Sequence, residues 1–512
     1  MRILILFLFP FWLSASTLHL SASSNPSRLN PIIATDSASG EIAGFIFNGL
    51  VKYDKDGKEI IGDLAESYAF EDNRTVVFRL RRGVKWHDGA PFTSRDVVFT
   101  YDIINDPSVV SPYTSTFRMV ESVGAPDDYT VRVVYKQPYF KALETWMMGI
   151  LPYHLLKDEK NMMSSPFNLA PVGTGPYRLS KLEFSRQIEL TAFDDYFEHR
   201  PKIDRIAFHV IPDPTTRFLM LKAGQIDLGA LEAMQYERQV DERFFERFRP
   251  IEDISHSYTY LGFNLRLDKF KDPRVRRALS LAIDRQAMVD FLFMGHGRVC
   301  TGPFLPGGPA FNPDVSAPPR DLQKAKALLK EAGFDEQHPL SFEIATSNAS
   351  PVRPFAAEII QHQLSMVGVK VTLRVMEWQA FLNMVVFPRQ FETVLLGWSL
   401  SLTPDPYLLW HSDNDKPGGF NFIGYRSKEV DALIDRMQTT VDRAALSVIW
   451  QQLFERIVAD DPYLFLYIPN DITAVYRGIH PVEPALNGIW HNYIDWEIVR
   501  DNRGGPLSKN PF

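Results

Sequence analysis

The sequence predicts an α/β protein of two or three domains, and three observations carry that expectation. Its 512 residues exceed what one hydrophobic core ordinarily serves. Beyond the stretch YLGFNLRLDKFKDPRVRRALSLAIDR, runs that read as strands alternate with amphipathic helical runs, the pattern of a sheet covered by helices. Ahead of it lie segments of period-2 alternation separated by turn residues, which read as a separate, strand-rich part.

The elements follow in chain order. Residues 17–54 read as a short strand, the loop SSNPSRLNP and an apolar helix through 42–50. In TVVFRLRRGVKW, Val76, Phe78 and Leu80 point one way while Val77, Arg79 and Arg81 point the other, so a strand is expected as far as Trp86. YTVRVVYKQPY repeats the alternation with Val131, Val133 and Tyr135. The proline- and glycine-rich joint APVGTGPYRL marks a boundary. A hairpin at 177–182 and 187–191 follows, then the strand IDRIAFHVI and a helix with Phe218 and Leu221 that stops near Gly224. Asp272 is a natural N-cap with Pro273 at the first helical position. Val275, Ala278, Leu279 and Ala282 then make one apolar stripe. The helix 322–332, the strand PLSFEIATS, a helix ending near Met366, the strands KVTLRVM and TVLLGWS, helices 427–437 and 444–458, and the strand YLFLYIP complete the series.

Composition narrows the function. A net charge of −7, without long blocks of like charge, argues against nucleic acid, which is bound by clustered basic surface. The 37 Phe, 19 Tyr and 9 Trp supply large cores and an aromatic-lined pocket. MRILILFLFPFWLSAST has an arginine, an apolar run and then small residues, the layout of a secretory signal peptide over residues 1–16. The apolar run is shorter than the ~18 residues of a membrane span. Cys300 is the only cysteine, so there is no internal disulfide and no acceptor for a lipid anchor behind the leader. The expected address is the periplasm, with Cys300 a buried, inert thiol.

Signs of catalysis are absent. VKWHDGAPFTSRDVVFTYD, at 84–102, places His87 beside Asp88 with Asp96 close behind, but each residue has a structural task. Asp88-Gly89 favours a tight turn. Thr93 and Asp96 suit a helix start, with Phe92 and Val97 at the positions of a hydrophobic staple. No neighbouring ligands complete a metal site. GxSxG, Walker, CxxC and HExxH patterns do not occur. The chain is therefore expected not to be an enzyme and to need no cofactor.

Several stretches resemble family 5 extracellular solute-binding proteins, the dipeptide- and oligopeptide-binding type that serves peptide and nickel ABC importers. They are LAESYAFEDNRTVVFRLRRGVKWHDGAPFTSRDVVFTYD, VGTGPYRL with the later DDYF, PKIDRIAFHVIPDPTTRFLMLKAGQIDLG, FNLRLDKFKDPRVRRALSLAIDR with the later GPF, and GWSLSLTPDPYLLWHS. The resemblance implies a two-lobed periplasmic binding protein fold (type II, cluster C-like) with an extra α+β subdomain in the first lobe. The first lobe would start at 17–45, carry the extra subdomain at 46–172, continue through 173–259 and return at 476–512. The second lobe would occupy 260–475, with hinges near SYTYLGFN and ITAVYRG. The protein would be a monomer that closes over a small peptide or peptide-like solute and delivers it to a membrane permease and its ATPase subunits.

The resemblance also implies contact residues. In peptide binders of the family, an aspartate three residues after the Gly-Trp tryptophan neutralises the peptide ammonium. Ser401 stands there after Trp398, and a serine cannot offset a buried ammonium. Asp405 would supply the charge from a shifted loop, or the ligand has no ammonium at that point. Trp398 and Ser399 would wall the cleft, and Arg353 lies near where dipeptide binders place a carboxylate-clamping arginine. Thr35 and Ser37 would meet an extended peptide backbone. Nickel-chelate binders of the family also lack the aspartate and use histidine, which makes His491 and His411 the candidates for that alternative. A cleft hydrolase is the reading from a different class.

Overall fold

A computed structural model describes residues 16–500. The expected signal segment therefore lies outside the described residues, Ser16 excepted. Among the described residues, no helix is long and apolar enough to cross a membrane.

The first lobe is built on a four-stranded sheet. Thr17–Ala22 pairs in parallel with Arg205–Val210, which pairs antiparallel with Gln187–Ala192, and that strand with Tyr177–Glu183. Leu18, Leu20, Ile188, Leu190, Ile206 and Phe208 point into one core, joined from the far end of the chain by Val475, Ile479 and Trp496. The helix Ser37–Ile46 begins at Asp36, whose carboxylate accepts hydrogen bonds from Ser39 N (2.8 Å) and Ser39 Oγ (2.7 Å). It ends at Ile46, four residues short of the expected Leu50. Gly173 and Gly175 lie so close to the Ile46 backbone that a Cβ on either would clash, which explains GTG at this joint.

A smaller antiparallel sheet, in the order Ala65–Asp72, Thr75–Leu80, Thr130–Tyr135 and Val120–Asp127, stands beside it. The strand expected to reach Trp86 stops at Leu80. Gly83 takes a positive φ of 79° and turns the chain, and Trp86 is buried from a loop instead. The helix Ser94–Asn105 starts as its sequence implies, with the Asp96 carboxylate accepting Thr93 N at 2.8 Å.

The second lobe is centred on the larger sheet. Its backbone is Tyr463–Tyr476, Ser257–Phe263, Thr393–Ser399, Ser341–Ser347 and Lys370–Met376, in that spatial order. These strands read as continuous apolar runs because both faces are covered. Tyr260, Val394, Leu396 and Phe465 pack under the helices Lys428–Gln438 and Arg443–Ala459. Leu261, Phe263, Leu395 and Leu464 pack on the other face under Pro273–Ala282, Leu322–Glu331 and Val352–Ser365.

Tyr463–Tyr476 is longer than YLFLYIP because it runs through Pro469 and serves both lobes. Leu464–Tyr467 pairs with Ser257–Phe263, while residues 470–476 pair with Phe248–Ile254 and 472–475 with Leu228–Leu231. The first crossing, at 254–257, and the second, at 468–471, therefore lie side by side, with Ser255 N donating to Pro469 O at 3.1 Å.

Candidate functional site

The two lobes touch away from these crossings, and the contact is polar at its centre. Glu144, on the short helical turn Glu144–Trp146 of the small subdomain, accepts from Arg443 Nη1 at 2.7 Å and from Thr403 Oγ1 at 2.9 Å. Tyr53 OH donates to the same Thr403 Oγ1 at 3.0 Å. Phe140 enters the second lobe's core, and its backbone N–H donates to Gln438 O at 3.1 Å. Sequence reading missed these residues because each looks like an ordinary surface group until the chain ends up 299 positions away.

Beside this contact lies a cavity of about 90 Å³, lined by Tyr258, Phe304, Trp398, Ser399, Ser401 and Asp405 among others. Trp398 is half-buried at the end of its strand. Its ring runs parallel to Phe422 (5.8 Å, 15°) and Tyr260 (6.4 Å, 7°), and Nε1 donates to Tyr463 OH at 3.4 Å. Ser399 and Ser401 are exposed, and Ser401 Oγ donates to Thr403 O at 3.0 Å. Asp405 accepts from Tyr407 N at 3.1 Å. Burial, together with the charges of Asp405 and Glu144, pushes the Tyr139 phenol of the small subdomain upward, so Asp405 lies near the seam between the lobes. Tyr258 lines the cavity, and its buried hydroxyl has no hydrogen-bond partner among the described residues.

Arg353 approaches the same strand end from the helix Val352–Ser365. Its guanidinium lies 3.0 Å and the Tyr258 carbonyl oxygen 2.9 Å from where a Cβ on Gly397 would stand, so glycine lets both approach the strand closely. Burial disfavours its charge, and the groups that oppose this are the phenols of Tyr467 and Tyr260, not a carboxylate. Among the described residues no ion pair or hydrogen bond holds that guanidinium.

The other expected residues sit apart. Thr35 and Ser37 are exposed on the first lobe, either side of the N-cap Asp36. His411 is buried, stacks on Tyr407 at 4.8 Å, and accepts Asp413 N at Nδ1 (3.1 Å). His491 donates from Nε2 to Glu483 O at 3.2 Å. Neither histidine joins a cluster of metal-ligating side chains among the described residues. Cys300 is buried, and burial raises its thiol to about 12.

The comparisons agree with this architecture. Residues 59–420 match the model of bacterial extracellular solute-binding proteins, family 5. The chain belongs to that family. Family 5 members bind solutes and are not enzymes, and they work outside the cytoplasm. Among curated family 5 relatives, the chain is 32% identical over 486 residues to the oligopeptide-binding protein AppA of Bacillus subtilis, covering 90% of this chain and 89% of that protein. The solved structure of the B. subtilis protein in complex with a nonapeptide superposes with a TM-score of 0.73 at 30% identity, covering 94% of this chain and 99% of the other. NikZ from Campylobacter jejuni, solved in complex with Ni(L-His), gives a TM-score of 0.75 at 25% identity, covering 94% and 100%.

Proposed function

We propose that this chain is the periplasmic substrate-binding component of an ABC importer. It takes a small peptide or peptide-like solute between its two lobes. It then passes the solute to a membrane permease driven by its ATPase subunits. A monomer, exported by its leader and not lipidated, suffices for this task.

The observation that carries the reading is the unpaired, half-buried Arg353 guanidinium laid against Gly397. A partly desolvated cation is costly until an anion meets it, and a planar fork fits a carboxylate. Asp405 offers the complementary charge for an ammonium, in place of the aspartate missing at Ser401. Tyr258 offers a donor whose burial without a partner costs ~1–3 kcal/mol until a ligand satisfies it. Trp398 and Ser399 form the adjoining wall, and Thr35 and Ser37 stand on the first-lobe side. A zwitterion with its charges separated by a short backbone satisfies this set.

The alternative ligand is a nickel chelate, for which the neutral Ser401 is the supporting feature, with His411 and His491 as the residues to test. Thermal unfolding of the purified mature protein separates the two. A peptide mixture is expected to raise the midpoint, since ligand at 100 times its Kd adds ~2.7 kcal/mol. Nickel with histidine is expected to leave it unchanged. The reverse pattern would sink the peptide assignment.

A further inference from the structure

His296 sits where the chain passes between lobes, and none of the binding residues above involves it. It follows the helix Arg285–Phe293 of the second lobe and precedes Gly297–Val299, which pairs with residues 467–469 of the shared strand. Its carbonyl accepts Asn470 N at 3.1 Å. Its two ring nitrogens face two different carboxylates. Nδ1 lies 3.0 Å from Glu252 Oε2, on the strand Phe248–Ile254, and Nε2 lies 2.7 Å from Glu237 Oε1. Glu237 belongs to the helix Ala233–Arg238, just after the strand Leu228–Leu231 that follows Asp227. Asp227 N in turn donates to His19 O of the first-lobe sheet. The histidine side chain is only 14% exposed.

The arrangement constrains the protonation state. A neutral imidazole has one N–H and one lone pair, so it can donate to only one carboxylate. Two carboxylates at hydrogen-bond distance from the two nitrogens require the doubly protonated ring. Glu252 has a second partner in Asn470 Nδ2 at 3.1 Å. Glu237, 43% exposed, is the carboxylate that solvent can take back. Loss of the proton therefore releases the Glu237 contact and leaves the one to Glu252, so the neutral ring holds the first lobe at one point instead of two.

We propose that His296 is a proton-operated two-point tie between the lobes, which favours the conformer with the lobes in contact when charged and falls to the single Glu252 contact when neutral. Burial opposes the charged ring, but the hydrogen bonds to Glu237 and Glu252 outweigh it and the net shift is upward. The tie is therefore complete below the ordinary histidine value and falls to one point as pH rises through the raised one. Tyr236, with its ring 5.0 Å from the imidazole, completes the immediate surroundings. A second titratable set lies close by. Asp253 and Asp471 face each other across the strands near His256, both held above the usual carboxylate range by burial, Asp253 also by the charge of Asp471. Asp253 is adjacent to Glu252 and so points to the opposite sheet face.

The test needs no ligand, so it stands or falls separately from the peptide reading. Spin labels on the two lobes of the ligand-free protein report the interlobe distance from about pH 5 to about pH 9, and NMR follows the His296 ring proton. The wild type is expected to lose the short-distance population as His296 titrates, by about 2- to 5-fold, the range of a partly screened ion pair. His296→Gln is expected to flatten that response. Glu237→Gln is expected to flatten it too and to move the His296 titration down toward its ordinary value. An interlobe distance that ignores pH in the wild type overturns the proposal. So does a pH response that persists in His296→Gln, which would assign it to the Asp253–Asp471 set.

Discussion

The turn at 86–96 and the loop at 397–405 are both short polar connections next to a tryptophan, yet their polar groups are employed in opposite ways. In the first, the histidine and both aspartates are satisfied from within, and of its buried polar side-chain atoms only the Trp86 indole N–H lacks a hydrogen-bond partner among the described residues. His87 donates from Nε2 to Gly175 O (2.9 Å) and accepts Gly173 N at Nδ1 (3.2 Å). Asp88 pairs with His154 at 2.7 Å, and Asp96 caps its helix and also accepts Tyr153 N at 2.9 Å. Against the second pack two groups from other elements, Arg353 from the helix Val352–Ser365, which lacks an acid, and Tyr258 from the strand Ser257–Phe263, whose hydroxyl lacks a partner among the described residues. Buried polar groups that the fold uses for itself are paired by the fold. Groups left unpaired beside a cavity are where an outside molecule completes the set. An attractive His–Asp pair is thus scaffold, while the binding chemistry we propose rests on Arg353, in the first turn of the helix Val352–Ser365.

Substitutions at three positions probe that contrast, beginning with the largest effect. Arg353→Ala is expected to weaken peptide binding about 30-fold or more by calorimetric titration, the ~2 kcal/mol of a charge-assisted contact, while unfolding temperature stays near wild type. Unchanged affinity would remove the contrast. His87→Ala should do the reverse, costing ~1–3 kcal/mol of stability in denaturant titration through two orphaned backbone groups, with peptide affinity preserved. Its pH signature follows from burial, which lowers the imidazole from 6.5 to about 4. The folded protein keeps His87 neutral where the unfolded chain takes up a proton. Stability is therefore full above 6.5 and falls as pH drops toward 4, a slope that His87→Asn should reduce. The smallest effect is expected from Asp405→Asn, about 10-fold weaker binding of peptides with a free amino terminus and little change for N-acetylated ones. Equal losses for both would deny Asp405 the ammonium.

Much of the scaffold was legible because its signals are local. TVLLGWS is a strand at Thr393–Ser399 as its composition implies, and Asp272-Pro273 opens the helix Pro273–Ala282. Pro469 misled, since a proline reads as a strand end, yet its carbonyl still pairs and the strand continues to Tyr476. The site was legible only in part. Trp398, Ser399, Ser401 and Asp405 are near neighbours in sequence and share one cavity. The room that Gly397 leaves for Arg353, and the joining of Glu144 to Arg443 and Thr403, depend on long-range packing that no spacing in the chain encodes.

The strand Tyr463–Tyr476 has a last consequence, for the way the molecule comes apart. One continuous ladder of 14 residues is shared by both lobes, and the first lobe's core holds Val475 while the second lobe's holds Phe465. Neither lobe can melt without stripping partners from a strand the other still uses. Two bodies that rock against each other during binding are, for heat denaturation, one cooperative unit, and a calorimetric scan should show a single peak where the architecture invites two.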